Sequence, residues 1–319
     1  MSLEKRRLPW QQPLSQSATY KRVVRSEAEL QAAITYFIGL GSGTSATLNL
    51  KKRFRIEIAE GFPITRSIII PPELAFCEID FCGNGFTTTA AISMFTINTV
   101  NVIIKNILML DSASQFTSLV KFGTVDTVFG TCSCEVLDSK IGNAVDFILN
   151  ANSLSGYFKL INTEFYSNAY DICQNTANIT LYLYDSVISA AGSVYLVNST
   201  NAVHAIGLIA SELLLTAGVC KIIDSDLNNV SMSGTNSRFI GGSAGSITTS
   251  ADGVRICDNV CTAVTVTGSK CVVSGNQMSG GNITTSGGAG SNTVLGNTNC
   301  GTITLHASDL PTPSGSYNT

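Results

Sequence analysis

Two pairs of carboxylates have spacings that could serve chemistry: Asp146 with Asp171, and Glu164 with Asp185. Carboxyl groups about 5 Å apart cleave a glycosidic bond with retention, and about 6.5–9.5 Å apart with inversion, one of them acting as the acid. A nearby like charge raises a carboxyl pKa, as that role requires. The competing reading is solvated surface carboxylates. Other chemistry is harder to assemble. The only histidines are His204 in "AVHAIGLIA" and His306 after "GTITL". The first reads as a packed strand residue and the second as a strand end. There is no GxSxG and no nucleotide fingerprint. "GLGSGTSAT", Gly39–Thr47, follows a helix pattern, so it lacks the strand-to-helix geometry of a phosphate loop. "DSDLN", Asp224–Asn228, lacks the following Gly and the distant Glu of a Ca²⁺ loop and reads as a polar corner. Neither a metal nor a cofactor is expected.

What would position these groups is a repeat. "AVDFILNAN" from Ala144, "AYDICQNTAN" from Ala169, "SVYLVNSTN" from Ser193 and "VCKIIDSDLN" from Val219 share one form: a small residue, a short β-type run, then Asn or Asp among polar residues. Val145, Tyr170, Val194 and Cys220 hold the same place in each, at nearly constant steps. A period of roughly 25 residues with several short strands suits a right-handed parallel β-helix, a single-chain solenoid whose turns stack at about 4.8 Å. About 260 residues then make roughly ten turns. Val145, Tyr170, Val194 and Cys220 would form one inward column, and Phe147, Ile172, Leu196 and Ile222 the next. Asn150, Asn175, Asn198 and Asp224 would sit at the corner, where Asn tolerates left-handed backbone.

Between these lie two outward columns. Asp146, Asp171, Tyr195 and Lys221 are mostly polar, which stacks the first carboxylate pair at one turn's spacing. Ile148, Cys173, Val197 and Ile223 are apolar. A parallel strand apolar on both faces is covered on both, and no helix in the sequence can cover this one. The economical cover is another copy of the chain. Tyr157, Tyr166, Tyr170, Tyr182, Tyr184 and Tyr195 crowd one region with Phe158 and Phe165, and those that reach the surface would offer aromatic platforms to a sugar.

The ends differ from the body. Residues 1–25 carry Lys5, Arg6, Arg7, Lys21, Arg22 and Arg25 against Glu4, a net +5, so the remainder carries −8 of the total −3. With Trp10 the only tryptophan, this basic arm has no base-reading module, so nucleic acid is not an expected partner. It reads as a strap for an acidic protein socket. "SEAELQAAITYFIG" has a capping box in Ser26 and Glu29, one apolar face in Leu30, Ile34, Phe37 and Ile38, and Gly39 to end it. Residues 26–45 would cap the open end of the solenoid core. Residues 46–253 are the body. Residues 254–319 are Gly- and Ser-rich, either a thinner continuation or a separate distal β region. Charged residues are only 13%. No run reaches the ~18 apolar residues of a membrane span, and "EKRRLPWQQPLSQ" is no signal core. Membrane insertion and a cleaved leader are therefore not expected. The ten cysteines are unsuited in spacing to zinc or a disulfide frame and read as small buried apolar groups. Cys132 and Cys134 would point the same way.

The order of basic arm, "VRSEAELQAAI" helix, "RIEI…IIIP" with "CGNGF", then turns ending in "SGN" resembles the pectate-lyase-like right-handed parallel β-helix superfamily over about residues 26–305. Within it, bacteriophage tailspikes and other virion spikes are most similar. That resemblance implies a homotrimer on the virion surface. Lys5, Arg6, Arg7, Trp10, Lys21, Arg22 and Arg25 would dock on other virion proteins, and Ile148, Cys173, Val197 and Ile223 would meet sister chains. The coil would recognise host-surface polysaccharide. Alternatives are a polysaccharide-degrading hydrolase or lyase and a capsid decoration spike. The body is poor in Arg after Arg66, and no compact Asp cluster marks a lyase centre.

Overall fold

A computed structural model describes residues 18–41, 52–109, 116–123, 131–142, 144–150, 155–167, 171–174, 178–190, 195–196, 202–215, 218–286, 292–307 and 309. The chain is an all-β parallel β-helix. All pairings between its described strands are parallel. One sheet has thirteen strands and a second has seventeen. Each turn contributes one strand to the first sheet. In the early turns it then contributes two to the second, such as Lys140–Gly142 and Ala144–Asn150. In the later turns these two merge into one longer strand, such as Asp226–Met232 or Ser243–Thr249.

Register stacks side chains in columns from turn to turn, and the longest column is buried. Ile56, Ile79, Ile104, Val136, Leu160, Leu183, Ala205, Ile222, Phe239, Ile256, Val273 and Val294 stand one above another in the first sheet. None is more than 2% exposed. They belong to one core that is continuous from Val24 to Val294. The coil has more turns than the ten expected, because the step between turns is not constant. It is long for most of the first half, as from Leu160 to Leu183, and short and uniform from Ala205 to Val273. The region after residue 253 continues the same coil to Ile303–Thr304.

The varying step also corrects the four-segment alignment. Ala144–Asn150 and Asp171–Gln174 are neighbours in the second sheet, with Ile148 opposite Cys173. Val219–Ile223 lies in the first sheet, between Ala202–Ile206 and Arg238–Ile240. Ile223 therefore shares no column with Ile148 and Cys173, and Lys221 none with Asp146 and Asp171. Asp146 is in register with Ser118 and Ile148 with Val120, both fully buried. The cause is that every turn has several corners, and an apolar run followed by Asn or Asp occurs at more than one. Tyr170, Val194, Val197, Asn175 and Asn198 lie outside the described residues.

The helix Glu27–Gly41 is the predicted cap. The Glu29 N–H donates to Ser26 Oγ (3.2 Å) and the Arg25 N–H to Glu29 Oε2 (2.7 Å), the reciprocal capping box. Leu30, Ile34 and Phe37 are buried, with Phe37 against Phe54 at 4.9 Å between centroids. Gly39 does not end the helix, which runs on to Gly41. The basic arm is shorter than charge suggested, since Ala18–Val24 is the first strand of the first sheet. Lys21 pairs with Glu57 at 2.7 Å, and the Arg22 guanidinium lies 4.1 Å above the Tyr36 ring. Lys5, Arg6, Arg7 and Trp10 lie outside the described residues.

At the corner after the first sheet the backbone is left-handed in turn after turn. Asn106, Asp138, Asn162, Asp185, Asp224 and Asp258 adopt φ of 47–57°, and Gly207, Gly241, Gly275 and Gly296 adopt 63–73°. Asn, Asp and Gly are the residues that tolerate this conformation. In seven of these ten turns the next residue turns a polar side chain inward. Asn259, Asn276 and Asn297 are at most 1% exposed and form a ladder. The Asn259 N–H donates to Asn276 Oδ1 (3.0 Å) and the Asn276 N–H to Asn297 Oδ1 (3.0 Å). In earlier turns Ser139, Ser186 and Ser225 do the same with hydroxyls, accepting the N–H groups of Ile107, Thr163 and Leu208. Cys132 and Cys134 are both buried, as expected of same-side residues, and among the described residues nine cysteines are free thiols.

Candidate glycan-binding column

Outward on the first sheet, one register column has unusual content. Glu135, Lys159, Tyr182, His204, Lys221, Arg238 and Arg255 stand on seven successive strands. Parallel strands lie about 4.8 Å apart, so the column extends about 29 Å along the coil axis. Period-two alternation puts these residues outward because their neighbours Val136, Leu160, Leu183, Ala205 and Ile222 are in the core.

The first part is an aromatic and hydrogen-bonding cleft of about 390 Å³, lined by Asn101, Ser133, Gly156, Tyr157, Thr180 and Tyr182 among others. Gly156 in its lining must be glycine, since a Cβ there would lie 1.7 Å from the Cys132 carbonyl oxygen. The Tyr157 hydroxyl donates to Asn101 Oδ1 at 2.6 Å and lies 3.4 Å from Glu135 Oε1. Burial pushes its pKa up, helped by the Glu135 charge. Lys159 Nζ donates to Glu135 Oε1 at 2.6 Å and sits 4.8 Å from the Tyr157 centroid. Burial works against the ammonium, but the Glu135 carboxylate outweighs it and raises the Lys159 pKa. Tyr182 meets Tyr157 and Tyr184 edge to face, and His204 stacks on Tyr182 at 5.0 Å and 13°. His204 is thus an outward, half-buried group rather than a packed core residue. Burial, then the Lys221 charge, hold its pKa below the ordinary histidine value.

Next along the same strands, one outward position on, runs an apolar ridge of Leu137, Ile161, Tyr184, Ile206, Ile223 and Ile240. It lies at the corner, and exposed Ile209 and Val260 follow on the next face. Of the four residues expected to meet sister chains, Ile223 is on this ridge. The structure describes the backbone alone of Ile148 and Cys173.

Glu164 and Asp185 occupy different positions in their turns. Glu164 stands on the next face, where Lys140 Nζ pairs with it at 2.9 Å and the Tyr166 hydroxyl donates to it at 2.8 Å. Those two partners hold its pKa down, the opposite of what an acid catalyst needs. Asp185 is a left-handed corner residue in line with Asp138 and Asn162. Asp146 and Asp171 are on strands that pair with each other, and only their backbone is described. Tyr157, Tyr182 and Tyr184 gather at the cleft, Tyr166 is exposed elsewhere, and Phe158 and Phe165 are core. Sequence reasoning passed over Glu135, Lys159, Arg238 and Arg255. The signal was present in the equal steps from Lys221 to Arg238 to Arg255.

Among the described residues no group of three or more His, Cys, Asp or Glu side chains is placed to hold a metal ion, and no helix is long and apolar enough to cross a membrane. No protein-family model matches the chain. No curated protein matches it either. Among solved structures it is similar to the crystal structure of the Dettilon tailspike protein, with 11% identity over 87% of this chain and a TM-score of 0.34. The match covers 64% of that tailspike chain, so this chain spans just under two thirds of its length.

Proposed function

We propose that the chain is a homotrimeric virion spike of a phage, attached to the particle through residues before Ala18 and recognising a host-surface glycan along the outer face of its first sheet. The observation that carries the recognition reading is the Glu135–Arg255 column with its cleft. Sugar recognition uses apolar ring faces together with a few fixed polar groups, and the cleft supplies Tyr157 and Tyr182 as platforms with Asn101, Ser133, Thr180, Glu135 and Lys159 around them. The corner ridge supports assembly, since a half-buried apolar row with exposed Ile206 in it and exposed Ile209 and Val260 beside it forms a contiguous apolar surface of the kind that marks an interaction site. Sister coils share the same turn spacing and can interdigitate such rows. Virion attachment rests on the resemblance of the cap helix and turn motifs and on the basic charge of the arm. Binding without cleavage is the preferred reading, because Glu164 is held down and paired rather than raised.

The test is glycan retention by the intact chain and by Tyr182→Ala on an array of bacterial surface polysaccharides. Tyr182→Ala should lose at least tenfold in apparent affinity while light scattering of both proteins gives three times the 33.6 kDa chain mass. Equal retention by the variant removes the cleft from recognition, and a monomeric mass removes the spike.

A further inference from the structure

The far end of the column differs from the cleft. Lys221, Arg238 and Arg255 are exposed and stand in register on three successive strands. Among the described residues no carboxylate lies within 4.0 Å of any of the three; the cations that are paired, such as Lys105, Lys140 and Lys159, lie in the earlier turns. Like charges directly opposite one another on adjacent strands are destabilising. Three in a row, on a chain whose residues after 25 carry a net −8, are a local exception to the acidic body. Burial, and after it the Lys221 charge, lowers the pKa of His204, the next group in line.

We infer that this cation row takes the carboxylates of a linear acidic polysaccharide lying along the coil axis, with its sugar rings on Tyr182 and His204. This rests on the glycan-recognition reading and names the class of glycan. The geometry favours that occupant in two ways. First, the cations recur once per turn, about every 4.8 Å, in line with the aromatic platforms, so a single extended chain can meet both. Second, the row is short and flanked by the isoleucine ridge. A duplex nucleic acid, with a charge about every 1.7 Å, would bring far more charge than three cations neutralise, and would face the acidic remainder of the coil. Rim charges of this kind set partner choice and encounter rate.

The experiment measures binding of the full chain to polyglucuronate, polygalacturonate and polymannuronate oligomers, each beside its carboxyl-reduced neutral form, and to a single-stranded oligonucleotide of equal charge. The comparison protein is the triple variant Lys221→Gln, Arg238→Gln, Arg255→Gln. All three sites are exposed, and a melting temperature no lower than that of the unaltered chain checks that the coil is retained. The expected result is that at least one uronate binds ten times or more tighter than its reduced form, and that the triple variant erases this preference while Tyr182→Ala weakens both forms. Equal binding of charged and reduced forms overturns the acidic class and leaves glycan recognition standing. Binding of the oligonucleotide as tight as the best uronate also overturns it. No binding of any saccharide, charged or reduced, sinks both readings.

Discussion

The wide turns before residue 206 and the narrow turns after it enclose the same kind of core with different materials. Among the described residues, ten of the eleven buried phenylalanines precede residue 166, and only Phe239 follows. Phe62, Phe81, Phe86 and Phe95 form a cluster with centroids 4.8–6.1 Å apart. In the narrow turns the inward positions are otherwise Ile, Val, Leu, Ala, Met and Cys, and the corner is occupied by the Asn259–Asn276–Asn297 ladder. Perimeter is the controlling variable. A wide turn encloses a cross-section that must be filled to organic-crystal density, and Phe supplies the volume. A narrow turn leaves little room for it, and corner amides close the section instead. The outer surface changes as well. The early turns carry a paired network in which Arg55 and Lys105 meet Glu78 and Asp80 at 2.7–3.5 Å, whereas Lys221, Arg238 and Arg255 are unpaired by any described carboxylate.

The sharpest way to break the comparison is to remove volume from each half. Phe95→Ala removes a fully buried ring and should cost about 3–5 kcal/mol. Ile256→Val, one methylene from the narrow core, should cost about 0.5–1.5 kcal/mol. Urea unfolding followed at both sites would measure this. Because a solenoid is held by neighbour contacts, Phe95→Ala should also separate the unfolding of the early turns from that of the late ones. A single concerted transition in Phe95→Ala would mean that the two halves do not unfold as separable units.

The corners offer a smaller contrast. Asn276 accepts the Asn259 N–H, and its Nδ2 donates to the Ile256 carbonyl (3.0 Å) and to Asn297 Oδ1 (2.8 Å). Asn276→Ala therefore orphans buried groups on two turns and should cost about 2–3 kcal/mol. Ser186 links fewer groups, accepting the Thr163 N–H and donating to the Tyr184 carbonyl, so Ser186→Ala should cost about 1 kcal/mol. Thermal melting of both variants checks the order, and a reversed order would show that the hydroxyl corners bear more of the load.

Much of this was legible from residue types. The capping box, the parallel coil, the burial of Cys132 and Cys134 and the corner role of Asp224 follow from local rules that need no neighbour. Register across turns was not legible. A fixed step placed Ile223 with Ile148, because the eye follows the apolar run and not the corner. The better marker is the left-handed residue: Asp224, Gly241, Asp258 and Gly275 recur at one constant interval, each followed by Ser, Gly or Asn. Aligning on that corner brings Lys221, Arg238 and Arg255 into one column and joins the "SGN" turn to its neighbours. The cleft was half legible. Tyrosine crowding pointed to it, but choosing Tyr157 and Tyr182 over Tyr166 required knowing which face each strand occupies.

His204 sits where the two kinds of turn meet, with the strand of Tyr182 on the wide side and that of Lys221 on the narrow side. It reports on both. Its neutral imidazole stacks on Tyr182, and protonation would put a half-buried charge beside the Lys221 ammonium. A base whose folded pKa is depressed binds its proton more readily when unfolded. Its contribution to stability is thus intact above the ordinary histidine value, about 6.5, and is lost as pH falls from there through the folded value. Lys221→Gln removes the second cause and leaves the first, so the His204 pKa should rise but remain below the ordinary value. Imidazole NMR titration reads this directly. Tyr182→Ala opens the ring to water and should raise it as well, by relieving burial. If neither substitution moves the titration, the stacked, cation-flanked geometry at the junction is wrong.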